Sequence, residues 1–155
     1  MKTVNDYINN PNVKIEYFET LPSTNAYLKE RAEELCEGAV VIAGNQTAGR
    51  GRFTRKFYSP ENSGIYMSIL LKPNFEGFDA TYITTLTAVA VSESVEKLAN
   101  KNTQIKWVND VLINGKKICG ILTEGKIDPN TGKPIYIVLG IGINAFVPKG
   151  GFDEE

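Results

Sequence analysis

A glycine- and arginine-rich stretch, Gly44–Pro60, limits what this chain can fold into more than any other segment. Four of the seven residues in Arg50–Lys56 are cationic. Gly49 and Gly51 allow the backbone to turn tightly and to bring its N–H groups close to a ligand. A short apolar run, Ala39–Ala43, leads into the stretch and is typical of a buried strand. A solvated basic loop is one interpretation, but the alternation of charge with glycine favours a loop that binds phosphate.

Composition and charge are those of an ordinary globular domain. The chain has 155 residues, of which 42% are hydrophobic and 23% are charged, so it can bury a sizeable core. Its net charge of −1 provides no overall field for nucleic acid, which argues against a DNA-binding module. Cys36 and Cys119 lie far apart without a C-x-x-C motif or a secretion signal, so we expect buried free thiols in a reducing cytosol. No run of roughly 18 apolar residues is present, and the sequence predicts no membrane span.

The chain contains no histidine. This absence excludes Ser-His-Asp catalysis, Cys-His catalysis and the zinc sites that need imidazole, which leaves carboxylates, lysine and arginine as candidate groups. A reaction that fits is the attack of an already ionised substrate carboxylate on phosphorus. The protein then supplies positioning and positive charge rather than proton transfer.

Hydrophobic periodicity predicts short strands and two helices. The first helix is expected to begin at an N-cap at Ser23 or Thr24 and to stop near Gly38, and the second to span Asp79–Asn100. Asn114-Gly115 predicts a type I′ hairpin turn. The predicted fold class is α+β, with a mixed, largely antiparallel sheet and helices packed on one side. The expected strands are Val13–Thr20, Ala39–Ala43, Ile65–Leu71, Ile105–Val108, Val111–Ile113, Lys117–Leu122 and Ile135–Ile143.

Short polar clusters carry further candidate chemistry. Ser23, Thr24 and Asn25 stand at the predicted start of a helix, where they either cap the helix or bind a polar ligand head. Lys106 is either a snorkelling surface cation or a point charge for a phosphate or carboxylate. Asp110 is either a turn former or a metal ligand.

The segment from Gly140 onward matches the dinucleotide-binding pattern G-x-G-x-x-A. The pattern should open a helix, whereas Phe146-Val147-Pro148 follows here, so we reject this interpretation. A strand whose glycines leave room for a flat ligand fits better, with Asn144 at its end offering both a donor and an acceptor.

Together these motifs resemble the biotin protein ligase family. They occur in the family's order and approximate spacing, and they cover roughly Val13–Pro148. The resemblance implies a biotin/lipoyl protein ligase-like fold of the class II synthetase type. The matching segments are Ser23-Thr24-Asn25, Gln46-Thr-Ala-Gly-Arg-Gly-Arg52, Lys106-Trp-Val-Asn-Asp110, Lys117-Ile-Cys-Gly-Ile121 and Gly140-Ile-Gly-Ile-Asn144.

The resemblance implies an enzyme that joins biotin to ATP as biotinyl-5′-adenylate, releases pyrophosphate and passes biotin to a lysine of a biotin carboxyl carrier domain. Mg²⁺ would accompany ATP, without a protein ligand that the sequence identifies. By similarity, the expected catalytic residues are Arg50, Arg52 and Lys106. The expected biotin-binding residues are Ser23, Thr24, Asn25, Gln46, Arg50, Gly51, Arg52, Lys106, Gly140 and Gly142, and the expected nucleotide-binding residues are Arg52, Arg55, Phe57 and Asn144.

The chain departs from the family pattern in several places. The family usually has proline where Val108 stands, and tryptophan is common where Phe57 stands. Members typically continue into further helices and a small C-terminal barrel, whereas this chain stops at Glu155. Few residues precede Ser23, so we expect no DNA-binding winged helix. Residues 1–155 are therefore expected to form a cytoplasmic catalytic domain without those C-terminal parts.

Alternative functions remain open at this point. A lipoate protein ligase or transferase would share the fold, although Gln46 and the Gly-Arg-Gly-Arg run favour biotin. A non-catalytic biotin-binding lobe would be consistent with the short C-terminus. Family members often pair through a sheet edge, so a homodimer is a further option.

Overall fold

The computed structural model describes residues 14–73 and 79–152. The polar sequence of residues 1–12 predicts a lead-in segment or a short helix, and these residues lie outside the described ranges, as does Val13, the first residue of the first predicted strand. Neither helix within them has the length and hydropathy needed to cross a bilayer. The helices are α1 (Thr24–Glu30) and α2 (Ala80–Ala99). The strands are β1 (Ile15–Leu21), β2 (Val40–Gln46), β3 (Gly64–Leu71), β4 (Gln104–Lys106), β5 (Asp110–Ile113), β6 (Lys116–Ile127) and β7 (Pro134–Asn144).

The described strands form one seven-stranded sheet in the order β1-β2-β3-β7-β6-β5-β4. β1 and β2 pair in parallel, and the other neighbouring pairs are antiparallel. The central strand, β7, is an almost continuous apolar run, which is typical of a strand covered on both faces. The predicted α+β class with a mixed, largely antiparallel sheet is confirmed.

Local sequence explains several element boundaries. Asp79 Oδ1 accepts a hydrogen bond from Thr81 N–H at 2.7 Å and caps α2, and Asn100 ends this helix in the left-handed conformation. Asn114 and Gly115 have φ values of 50° and 74°, as a type I′ turn requires. The second predicted helix and the predicted hairpin turn are therefore confirmed. β4 is shorter than expected because residues 107–109 form a turn.

The first helix is also shorter than expected. Arg31, with φ −110° and ψ 10°, leaves the helical region, so α1 ends at Glu30 and a turn follows. Leu28 and Ala32 are nevertheless almost completely buried in the same apolar cluster. The predicted apolar stripe thus packs on the sheet although only its first half is helical.

The two helices lie on opposite faces of the sheet. Side chains alternate between the faces of a strand. Val138 of β7 packs in the cluster that contains Leu28 of α1, whereas its neighbour Leu139 packs with Ala88 of α2. We call these the α1 face and the α2 face. The arrangement differs from the expected one, with both helices on one side, because the sheet is apolar on both faces and each face is covered.

One row of residues crosses the α1 face. Residues directly opposite each other in antiparallel strands point to the same face. Each member of the row is paired with the next across a strand ladder. In order, the row consists of Lys106, Asp110, Gly120, Gly142 and Tyr66.

The two cysteines occupy contrasting environments. Cys36 is exposed after α1, whereas Cys119 of β6 is fully buried on the α2 face, and both are free thiols. The expectation that both thiols are buried is therefore wrong for Cys36. Burial is the largest cause that raises the pKa of the Cys119 thiol to about 12; the positive charge of Lys117 lowers this pKa and the negative charge of Asp110 raises it, each by less.

We expect iodoacetamide to modify Cys36 and to spare Cys119 in the folded protein near neutral pH, because the thiolate is the reactive form. Peptide mass spectrometry after a timed reaction measures both sites. The same reaction in denaturant is the control, in which both cysteines should react. Equal modification of the two thiols in the native protein would contradict the burial of Cys119.

Candidate functional site

The glycine-arginine loop folds as a tight hairpin beside the sheet. Phe57 N–H donates to the Gly49 carbonyl at 3.0 Å, and Gly51 N–H donates to the Arg55 carbonyl at 2.8 Å. A Cβ atom at Gly49 would lie 2.3 Å from the Phe57 carbonyl oxygen and 2.7 Å from Ser59 Oγ. Only glycine fits at this position, so the loop carries its exposed cations on a constrained backbone.

The Phe57 ring rests on glycines of the α1 face. A Cβ atom on Gly142 would meet the ring at 2.3 Å, and one on Gly120 would meet it at 3.0 Å. Tyr66 contacts the ring edge-on, with centroids 6.4 Å apart and planes at 74°. Lys117 Nζ lies 6.0 Å from the ring centroid. The two glycines therefore provide the space for an aromatic side chain at the middle of this face.

The start of α1 is hydrogen-bonded to β2 and to the loop. Ser23 is the N-cap, and its Oγ accepts a weak hydrogen bond from the first turn at 3.4 Å. Thr24 N–H donates to Gln46 Oε1 at 2.9 Å, and Thr24 Oγ1 lies 3.2 Å from the same oxygen. Gln46 Nε2 donates to Ser59 Oγ at 2.9 Å, and Ser59 donates to the Phe57 carbonyl at 2.9 Å. The helix start and the aromatic side chain are thus linked through one glutamine.

Asn25 lies directly over Gly140 and is 4% exposed. A Cβ atom on Gly140 would be 2.2 Å from Asn25 Oδ1. Ser68 Oγ lies 2.6 Å from Asn25 Oδ1 and 2.7 Å from Thr24 Oγ1. Asn25 Nδ2 donates to Glu124 Oε2 at 2.8 Å. Gly140 therefore allows an amide of α1 to reach the sheet.

Glu124 of β6 completes this cluster. Lys29 Nζ donates to Glu124 Oε1. Burial raises the pKa of the Glu124 carboxyl, but the hydrogen bonds from Lys29 and Asn25 and the charges of Lys29 and Arg50 outweigh burial, so the pKa is lowered. Glu124 is therefore ionised at neutral pH. We use the name polar cluster for Ser23, Thr24, Asn25, Gln46, Ser59, Ser68 and Glu124.

The predicted catalytic cations lie on the loop and at the end of β4. Arg52 Nη1 donates to Asn109 Oδ1 at 3.1 Å, which joins the loop to the segment after Lys106. Lys106 is exposed at one end of the row across the sheet. Arg50 is exposed and lowers the pKa of Glu124 through its charge. Arg52 also borders a cleft of about 160 Å³ at the start of α2, whose lining contains no member of the polar cluster.

Asp110 is an ion-pair partner rather than a turn former. It begins β5, and its buried Oδ1 lies 3.1 Å from Lys117 Nζ, although the angles do not make this contact a hydrogen bond. Across residues 14–73 and 79–152, no three carboxylate or cysteine side chains converge as metal ligands.

The remaining predicted nucleotide-binding residues are Arg55, Phe57 and Asn144. Arg55 is exposed on the loop, whereas Phe57 is half-buried against the sheet. Asn144 ends β7 two residues beyond Gly142, and strand alternation puts the two on the same face.

Sequence reasoning missed several members of the site. Lys117 stands in one of the recognised motifs, but nothing local indicates its contact with Phe57. Lys29 and Glu124 are 95 residues apart, so no sequence spacing links them. The alternation of side chains along a strand would have indicated Glu124 only if the predicted strand Lys117–Leu122 had been extended beyond Leu122. The other missed members are Ser59 and Ser68.

Comparison with known proteins gives one consistent family. Residues 17–144 match the biotin/lipoate A/B protein ligase family. The bifunctional ligase/repressor BirA of Bacillus subtilis is 41% identical over 140 residues, which cover 90% of this chain and 42% of that protein. The biotin–[acetyl-CoA-carboxylase] ligase of Paracoccus denitrificans is 34% identical over 85% of this chain and 55% of its own length.

Solved structures agree with the sequence matches. The biotin protein ligase from Aquifex aeolicus in complex with biotin and ATP superposes with a TM-score of 0.70 and 32% identity, covering 92% of this chain and 54% of that chain. The chain thus spans about half the length of the relatives it matches. Because the match covers residues 17–144 and the folds coincide, the chain belongs to the biotin/lipoate A/B protein ligase family.

Proposed function

We propose that this chain is the catalytic domain of a biotin protein ligase, which forms biotinyl-5′-AMP and pyrophosphate and then transfers biotin to a lysine of a carrier protein. The observation that carries the proposal is the convergence of three chemistries on the α1 face: a polar cluster, an aromatic ring over glycines, and exposed cations on the loop and at Lys106. The Aquifex aeolicus ligase that binds both biotin and ATP supports this pair of substrates.

The polar cluster is suited to the ureido head of biotin. A ureido group presents N–H donors and a carbonyl acceptor, so it needs partners of both kinds within a small volume. Thr24 and Gln46 provide oxygens 3.2 Å apart, and Ser23 adds a hydroxyl at the helix start. Asn25, over Gly140, supports these groups from the sheet side. Their burial favours a ligand that satisfies several polar groups at once.

The cations are suited to the reacting phosphate. In the proposed first step, a carboxylate oxygen of biotin attacks the α-phosphorus of ATP, and the bond from that phosphorus to the bridging oxygen breaks to release pyrophosphate. Arg50, Arg52 and Lys106 would offset the negative charge on the attacking and leaving oxygens. No proton is transferred in this step, which agrees with a chain that has no histidine.

The aromatic ring and its neighbours are suited to the nucleotide. Phe57 is half-buried on Gly142 and Gly120 and offers a flat apolar surface for a base. Arg55 and Asn144 would contribute charge and amide contacts at its edges. Mg²⁺ would enter bound to the phosphates of ATP, as is usual for this ion, and no protein side chain is assigned to it.

In the proposed second step, the neutral amine of the carrier lysine attacks the acyl carbon of biotinyl-5′-AMP. The bond from that carbon to the phosphate oxygen breaks, AMP leaves, and the nitrogen releases a proton to solvent as the amide forms. The carrier would be a biotin carboxyl carrier domain, in keeping with the name of the Paracoccus denitrificans relative.

We expect the chain to catalyse biotin-dependent exchange of labelled pyrophosphate into ATP. Lys106→Ala and Arg52→Ala should each reduce the exchange rate about 100-fold, because each removes positive charge from the transition state. Lys101→Ala is the matched control, since Lys101 is an exposed lysine just before β4, and its exchange rate should stay close to that of the wild type. Exchange driven by lipoate instead of biotin, or none despite biotin binding, would contradict the proposed activity.

We also expect the loop to close over the ligands. Arg52 is exposed at the start of the hairpin turn, directly after Gly51, so trypsin should cut after Arg52 in the free protein. Biotin and ATP together should slow this cut, as followed by mass spectrometry of the fragments. Cleavage after Lys101 serves as an internal control for overall protection. An unchanged rate at Arg52 with both ligands bound would contradict closure.

A further inference from the structure

The tip of the glycine-arginine loop carries an aromatic residue in an unusual backbone conformation. Arg55 N–H donates to the Arg52 carbonyl at 3.2 Å and closes a four-residue turn whose second residue is Phe53. Phe53 has φ 58°, which lies in the left-handed region. Turns with a positive φ at their second position usually have glycine, asparagine or aspartate there. Local backbone preference therefore does not explain a phenylalanine at the tip.

Burial does not explain this phenylalanine either. Phe53 is 91% exposed, so its ring adds almost nothing to the packing of its own chain. Phe57, the other phenylalanine of the loop, is in contrast half-buried on the sheet. The guanidinium of Arg52 stacks near the Phe53 ring, with Cζ 5.3 Å from the ring centroid. The rest of the ring remains available to another molecule.

The surroundings of the Phe53 ring are cationic. Arg50, Arg55 and Lys56 are exposed on the same loop, and Gly44–Pro60 contains no aspartate or glutamate. Within residues 14–73 and 79–152, none of these three cations forms a salt bridge with a carboxylate. A partner that contacts the ring therefore fits best if it combines an apolar side chain with carboxylates around it.

The ring also lies close to the proposed reaction site. Arg52, which stacks on the ring, is one of the cations proposed to act on the reacting phosphate. In the proposed second step, the carrier lysine must reach the acyl carbon bonded to that phosphate with a four-carbon side chain. The carrier surface around this lysine must then come close to the loop tip. ATP has no such need, because Phe57 is the surface proposed for its base.

We propose that Phe53 is a docking contact for the carrier protein. Its ring packs against an apolar side chain of the carrier near the acceptor lysine, and Arg55 and Lys56 face carboxylates around that side chain. The proposal rests on the proposed function, in which a carrier lysine accepts biotin. Aromatic side chains often dominate protein interfaces because they bring a large, rigid contact area at a low cost in conformational entropy. Phe53 itself takes no part in the chemistry.

The test is Phe53→Asn, because asparagine readily adopts the left-handed conformation and removes the ring without disturbing the turn. The acceptor is the unbiotinylated carrier domain of the acetyl-CoA carboxylase of Paracoccus denitrificans, the organism of one of the relatives. We expect the KM for this domain to rise about tenfold, as for the loss of an aromatic anchor. Phe53→Tyr keeps the ring and should leave this KM within about twofold of wild type.

Two reactions that need no carrier separate docking from the chemistry. Biotin-dependent pyrophosphate exchange measures the first step. Hydroxylamine, a small nucleophile, attacks the acyl carbon of biotinyl-5′-AMP and forms the hydroxamate of biotin as AMP leaves. Both rates in Phe53→Asn should stay close to those of the wild type. A slower exchange would show that the ring positions Arg52 or contacts the nucleotide, and a slower hydroxylamine reaction would show an effect on the acyl site, so either result overturns the docking contact.

Leu98→Asn is the matched control. Leu98 is 87% exposed in the last turn of α2, which covers the other face of the sheet. The substitution removes a similarly exposed apolar side chain at a distance from the loop. The KM for the carrier domain should therefore not change.

The charge of the partner is tested by Lys56→Gln, which removes one cation beside the ring. We expect the KM for the carrier domain to rise about threefold, as for the loss of an exposed ion pair, with an unchanged exchange rate. A wild-type KM in Lys56→Gln would contradict an acidic surface on the carrier.

The docking contact and the proposed function fail in different ways. A wild-type protein without biotin-dependent exchange contradicts the proposed function itself. Exchange without transfer to the carrier domain contradicts the proposed second step, and the docking contact with it. Normal transfer by the wild type, together with a wild-type KM in Phe53→Asn, overturns only the docking contact.

Discussion

The structure depends on the contact of two side chains with glycine residues of the central strands. Asn25 of α1 reaches Gly140, and the Phe57 ring of the loop reaches Gly142 and Gly120. Any Cβ atom at Gly140 or Gly142 would overlap its partner, so a side chain there would hold the helix or the loop away from the sheet. The polar cluster and the aromatic surface would then separate, and the two could not contact the same ligand.

Charge is arranged around this contact in two ways. Lys29 with Glu124, and Lys117 with Asp110, are half-buried ion pairs whose charges are largely balanced. Arg50, Arg52 and Lys106 are exposed at the rim. The exposed cations therefore remain available to an anion, while the partly buried lysines serve as counter-ions to Glu124 and Asp110. This division suits a reaction in which both substrates bring negative charge and the attacking oxygen is already ionised.

Local sequence predicts the parts of the fold that local physics controls. Asn114-Gly115 needs only backbone geometry to form its turn, and Asp79 caps α2 with its own side chain, so both were predictable. Burial was harder to predict because it depends on what packs above a strand. The opposite placement of the helices and the exposure of Cys36 both follow from packing between distant segments.

The sequence by itself determined the glycine-arginine loop, the residues at the start of α1, the lysine of β4 and the absence of a proton-shuttling imidazole, because each is a matter of residue type and short spacing. Only the tertiary structure decided which groups meet. Ser68 joins Thr24 to Asn25, and Glu124 meets Lys29 across 95 residues of chain. Strand order and register bring these side chains together, and neither property is encoded in the spacing of residues along one segment.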